Sequence, residues 1–216
     1  MELCLDKRDG GASQGKLARW LKFNPSFSFI LLLALPVAAD EHVRSEIIAQ
    51  PTPGRFSICF DHSCTSVETV SLNEEEWRRV TAPLSAVAKN ASDERAAIAD
   101  SIALFEEIIG ERLGTSADRG GNLAGLGRPK QLDCIDESTN SNTFLLMLER
   151  DGLLRFHTVA KRKTRFGLFI GMPHTTAVIR ENDTGIRYAV DSWFFDNGQP
   201  PYIVKLRAWK SGQDPY

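Results

Sequence analysis

The chain has 216 residues, of which 42% are hydrophobic and 25% charged. That length and apolar content fit one domain with a sizeable core. The net charge of −2 offers no electrostatic footprint for nucleic acid as a partner.

Residues 1–39 read as a secretory signal. Lys16, Arg19 and Lys22 precede an apolar run from Phe27 to Ala34, followed by Leu35-Pro36-Val37-Ala38-Ala39. Val37 and Ala39 are the small residues before a cut that makes Asp40 the new N-terminus. The competing reading is an uncleaved anchor, but the run is short for a span of about 20 apolar residues. Cleavage leaves 177 residues with 21 basic and 25 acidic side chains, a net charge of −4. The expected location is the periplasm or the medium, with no stable membrane span after cleavage. Residues 40–54 form an expected flexible lead-in, broken by Pro51 and Pro53, and residues 55–216 a single domain.

Removing the signal also removes Cys4 and leaves Cys59, Cys64 and Cys134. Three cysteines in an exported chain leave one over. Cys59 and Cys64 bracket a short Phe-Asp-His-Ser turn and can pair across a hairpin. Cys134 is then a free thiol in an oxidising compartment, which points to a function. The alternative is zinc at Cys59, His62 and Cys64, which lacks a clear fourth ligand. No metal motif is evident, and no cofactor is expected.

Arg55–Phe60 and Ser66–Val70 have strand composition and flank the cysteine turn. Ser71 with Glu74 makes a capping-box pattern for a short helix burying Trp77 and Val80. A longer helix is predicted from Ser92 to Leu113, with Ile98, Ile102, Phe105, Ile109 and Leu113 at helical spacing. Ser92 is its expected N-cap and Gly114 its stop. Thr115–Lys130 is a Gly-rich loop of the length that often borders a site, with a plain connector as the equal alternative.

The next helix is predicted from Cys134 to about Arg150, with Asp133 as N-cap. Its first half carries Ser138-Thr139-Asn140-Ser141-Asn142, all poor helix formers. Such a run makes sense when small polar side chains pack against a sheet. Strands are expected at His157–Lys163, Phe166–Gly171, His174–Arg180, Ile186–Trp193 and Tyr202–Trp209. Helices followed by an antiparallel sheet make an α+β layout, with neither repeats nor a second domain.

A thiol, an imidazole and a carboxylate are the set for nucleophilic thiol catalysis. Cys134, His174 and Asp191 supply them in that order. Pairing Glu181 with Thr184 around Asn182-Asp183 would put His174 directly across from Asp191, with Cβ atoms about 5 Å apart. A cysteine opening a helix gains thiolate stability from unpaired N–H groups and the helix dipole, while Asp133, Asp136 and Glu137 oppose it. Each residue also has an ordinary reading: a buried structural thiol, a hydrogen-bonded strand histidine, a strand-end carboxylate. Trp193 is a candidate wall of the site, with core packing as the alternative. His62 and His157 read as structural.

Leu132-Asp133-Cys134-Ile135-Asp136, His174-Thr175-Thr176-Ala177-Val178 and Tyr188-Ala189-Val190-Asp191-Ser192-Trp193 together resemble the transglutaminase-like cysteine peptidase superfamily, above all its exported bacterial members. The resemblance covers about residues 92–209 and implies a papain-like core: a nucleophile helix packed on an antiparallel sheet, with His and Asp on adjacent strands. It implies Cys134 as nucleophile, His174 as general base and acid, Asp191 as orienting carboxylate, and, as with the amide of papain-like sites, Gln131 as a candidate oxyanion donor. It also implies thiolate attack on an amide or ester of a protein, peptide or cell-wall peptide. Hydrolysis makes a peptidase, and capture by an amine makes a crosslinking transglutaminase. The polar run after Cys134 departs from the small, apolar helix usual in that family. Two non-enzymatic readings stand beside it: a catalytically silent envelope binding or assembly protein of the same fold, and a disulfide-stabilised binding module. Oligomeric state is not legible.

Overall fold

The computed structural model describes residues 46–85, 88–121, 127–166 and 173–216. The expected signal, residues 1–39, and most of the Phe166–Gly171 strand lie outside them. Among the described residues no helix is long and apolar enough to cross a membrane.

The first two strands, β1 (Phe56–Phe60) and β2 (Ser66–Val70), pair antiparallel around the cysteine turn. Every residue of β1 is buried. Residues 46–54 run beside it: Ile48 N–H bonds Ser57 Oγ at 3.1 Å, and Leu72 N–H bonds Pro53 O at 2.7 Å.

Helix α1 spans Glu74–Ser85. Its cap is Asn73, not Ser71: Asn73 Oδ1 accepts from the N–H groups of Glu75 and Glu76, and Glu76 Oε2 accepts from Asn73 N–H. Asparagine makes the same reciprocal box two residues later.

Helix α2 spans Ala91–Leu113 and is capped by Asn90 rather than Ser92. Gly114 ends it with φ of +78°, the left-handed stop that glycine adopts without steric cost. Helix α3 spans Cys134–Arg150 with Asp133 as N-cap. The predicted spacing on α2 builds the main core: Phe105 stacks on Phe144 of α3 at 4.3 Å between centroids and meets Phe56 of β1 at 5.6 Å.

The second sheet has the order β3-β4-β5-β6, all antiparallel: β3 (His157–Phe166), β4 (Pro173–Glu181), β5 (Arg187–Asp191) and β6 (Tyr202–Lys205). The last segment does not stay extended as expected. It turns at Lys205 into a short helix α4, Leu206–Lys210. That turn tucks Leu206 and Trp209 against Val178 and Ala189, while Ala177, Ile179, Tyr188 and Val190 join the core with α2 and α3. Both faces of the sheet are thereby covered. The ten elements among the described residues lie in one unit, and the architecture is α+β with antiparallel sheets.

The β4–β5 hairpin corrects one expectation. Its loop has four residues, Asn182–Gly185: Glu181 N–H bonds Ile186 O at 2.8 Å, and Gly185 takes φ of +69°. The ladder pairs Ala177 with Val190 and Arg180 with Arg187. The register is thus offset by two residues from the one expected. Side-chain direction repeats every two residues, so His174 and Asp191 keep a common face but become diagonal neighbours rather than direct partners.

Candidate active site

Cys134 is the first residue of α3 and is partly exposed. The Asp133 cap takes the N–H groups of Ile135 and Asp136 and does not use that of Cys134. The Cys134 sulfur lies 3.8 Å from Pro173 O, at the start of β4, close enough to the next residue, His174, to help raise its pKa. His174 Nε2 in turn meets Asp191 Oδ2 at 2.7 Å. With Nε2 committed to Asp191, Nδ1 is the nitrogen left to face the sulfur. The structure therefore brings Cys134, His174 and Asp191 together in one chain of contacts.

Asp191 is only 2% exposed, and its Oδ2 takes a second donor that sequence reading missed. Trp209 Nε1–H bonds it at 2.7 Å. Trp209 is wholly buried, 5.6 Å from the His174 ring between centroids. Arg165, the cross-strand partner of His174, lies over the Trp209 ring at 4.6 Å and bonds its carbonyl and Asp214. In the sequence Trp209 reads as one more aromatic of a final strand. Only the strand-to-helix turn at Lys205 aims its N–H at Asp191.

Burial alone would lower the His174 pKa, but its hydrogen bonds and Coulomb attraction to Asp191 and Cys134 prevail and push it up to about 9. An imidazolium is the form that stabilises a neighbouring thiolate. The opposing acids are muted. Burial first, then the charge of Asp133, raises Asp136 to about 7. Burial, then Glu106 and Asp118, raises Glu137 well above its ordinary range. Burial raises Glu106 to about 7 and Asp118 to about 6. These carboxyls hold protons more tightly than solvated ones, so they place less negative charge beside the sulfur than the sequence suggests.

Trp193 sits 4.8 Å from the His174 ring, and Phe194 5.4 Å from it. Trp193 is half-buried and lines the site beside the imidazole. The Gly-rich loop supports this wall: Gly121 N–H bonds Trp193 O at 2.6 Å and Gly120 N–H bonds Asp196 Oδ1 at 3.0 Å. The Gln131 side chain donates from Nε2 to Ala117 O at 3.2 Å. Its backbone carbonyl accepts from Asp61 N–H at 3.2 Å, which ties the approach to Cys134 to the cysteine turn. A concavity of about 570 Å³ lined by Asn73, Glu75, Glu76, Arg78, Arg79 and Ala82 shares no residue with this site.

The polar half of α3 is buried and bonded, as packing on a sheet requires. Asn140 accepts from Cys59 N–H and donates to Cys59 O, both at 2.8 Å, completing the edge of β1. Ser141 meets Ser192 at 3.2 Å. Arg162 of β3 bonds Ser138, Thr139 and Ile135 O.

The Cys59 and Cys64 sulfurs lie at disulfide-bonding distance, with Cα atoms 4.6 Å apart, and Cys134 is the free cysteine of the described residues. A disulfide there removes the two thiolates a zinc site at Cys59, His62 and Cys64 would need. His157 is buried between Glu94 (2.8 Å) and Arg95 (3.2 Å), away from Cys134, in a structural ion network.

Comparison of the chain with family models, curated proteins and solved structures finds no match. The functional reading accordingly rests on the geometry of the site.

Proposed function

We propose that this chain is an exported thiol acyl-transfer enzyme, a cysteine peptidase or amidase of transglutaminase-like type. The observation that carries the reading is His174 Nε2 on Asp191 Oδ2 at 2.7 Å, with the Cys134 thiol at the N-terminus of α3 close enough to raise the His174 pKa. His174 takes the thiol proton, and the thiolate attacks the carbonyl carbon of an amide. The oxygen that gains negative charge is offered the Cys134 N–H and the positive end of α3. The imidazolium then returns its proton to the leaving amine as the C–N bond breaks. Water, deprotonated by His174, attacks the resulting thioester and releases the carboxylic acid. Transfer to an amine would follow the same path, with an amine replacing water.

A partly exposed thiol paired with imidazolium, beside Trp193 and Phe194, suits an extended peptide segment. The substrate class proposed is protein or peptide, cell-wall peptides included. Export is supported by the disulfide-distance pair Cys59–Cys64, which persists in oxidising compartments.

The test is the rate of Cys134 alkylation against pH, on oxidised protein and on His174→Ala. Fast labelling well below the free-thiol pKa of about 8.5, lost in the variant, is expected. Labelling that rises only in alkali and ignores the substitution would refute the reading.

A further inference from the structure

Four consecutive non-glycine residues, Asp61, His62, Ser63 and Cys64, have φ between +53° and +64°. Left-handed backbone is costly for each of them and rarely runs beyond single residues. Something must hold this turn, and its two ends are closed by the Cys59–Cys64 pair.

The turn aims its donors at the two carboxylates that flank the nucleophile. Ser63 N–H bonds Asp133 Oδ2 at 2.9 Å, and Ser63 Oγ bonds the same atom at 3.2 Å. Cys64 N–H bonds Asp136 Oδ1 at 2.6 Å, and the His62 N–H also reaches Asp136. The other oxygens do the capping: Asp133 Oδ1 takes Ile135 and Asp136 N–H, and Asp136 Oδ2 takes Asp133 N–H at 3.1 Å. Each carboxylate therefore joins the start of α3 to the turn, with Cys134 between them. The same turn grips the incoming chain through Lys130 N–H to Asp61 Oδ1 at 2.6 Å and Asp61 N–H to Gln131 O.

Building on the thiol-enzyme reading, we propose that the turn Asp61–Cys64 positions the nucleophile. Cys134 becomes a reactive thiolate only once Cys59 and Cys64 are joined. With the pair reduced, nothing covalent opposes relaxation of the four residues to right-handed backbone. Their N–H groups then swing off half-buried Asp133 and buried Asp136, which lose those donors. The first turn of α3 loses its fixed place against His174. In this scheme the enzyme is latent in a reducing compartment. It is switched on by an external disulfide oxidant, which accepts two electrons and two protons from the thiols and leaves as two thiols.

The experiment follows Cys134 alone, by peptide mass spectrometry, during alkylation across pH. It compares oxidised protein, Cys59→Ala/Cys64→Ala, and that double variant with His62→Gly added. In the double variant, labelling at about pH 6 is expected to fall about tenfold or more, with the profile moving toward a free thiol. Glycine accepts positive φ freely and keeps the backbone N–H, so His62→Gly is expected to recover part of the loss, which a merely stabilising disulfide would not show. Should the double variant fail to fold, Ser63→Ala with the pair intact is expected to slow labelling severalfold. Equal profiles in oxidised protein and double variant, or in Ser63→Ala where that variant is the one read, overturn the proposal. If even oxidised protein lacks His174-dependent labelling, the thiol-enzyme reading itself has failed.

Discussion

Asp191→Asn is the cleanest probe of the electrostatics. An amide keeps the shape and an acceptor oxygen for His174 Nε2–H and Trp209 Nε1–H, so mainly charge is lost. Asp191 and Cys134 together raise His174 from 6.5 to about 9 against the opposing effect of burial, a gain of about 3 kcal/mol at about 1.4 kcal/mol per unit. A raised histidine pKa stabilises the fold fully below about 6.5, and that stability is lost as pH rises through about 9. Asp191 contributes both a hydrogen bond and a full charge at close range. Its neutralisation should therefore lower the His174 titration by at least about one unit.

Two measurements check this. The His174 ring is titrated by NMR, because the coupled Cys134–His174 pair loses protons in macroscopic steps. Urea unfolding is then run at about pH 6.5 and about pH 10 on both proteins. The advantage of the native protein over Asp191→Asn should grow by about 1.4 kcal/mol or more on going to the lower pH. Comparing pH values cancels the cost of burying the carboxylate itself. An unmoved His174 titration with a pH-independent stability gap would refute the reasoning.

Trp209→Phe keeps a buried ring but removes one of the two donors on Asp191 Oδ2. A hydrogen bond to a charged group contributes about 1.5–3 kcal/mol, so urea unfolding should show a loss of that order. The pH profile of Cys134 alkylation should shift as well, and a stability loss with an unchanged profile would reduce Trp209 to packing. Gly120→Ala would place a Cβ onto the backbone of Phe194 and Phe195, where nothing yields easily. A loss of about 1–3 kcal/mol is expected, with slower Cys134 labelling as the Trp193 wall shifts. An unaffected melting temperature would show that the loop does not bear on that wall.

Much of the architecture is legible from local pattern. The 3.6-residue spacing of Ile98, Ile102, Phe105 and Ile109 builds α2, and Gly114 stops it because only glycine adopts its backbone without steric cost. The span of α3 and its Asp133 cap follow from chemistry within one turn. The caps of α1 and α2 are harder, because several Ser and Asn side chains compete within a few residues, and tertiary packing selects Asn73 and Asn90.

Side-chain parity on a hairpin survives a register offset of two, so His174 and Asp191 share a face whether the loop has two residues or four. The sequence alone thus determined the order thiol, imidazole, carboxylate, the odd cysteine, and the α+β layout. Tertiary structure decided what no local rule contains. Bending of the final segment at Lys205 sets Trp209 on Asp191. Desolvation quiets the acids around Cys134. The left-handed turn reaches across about 70 residues to Asp133 and Asp136. Hydrogen-bond donors and buried charges act through space, and their partners are fixed only when distant segments pack.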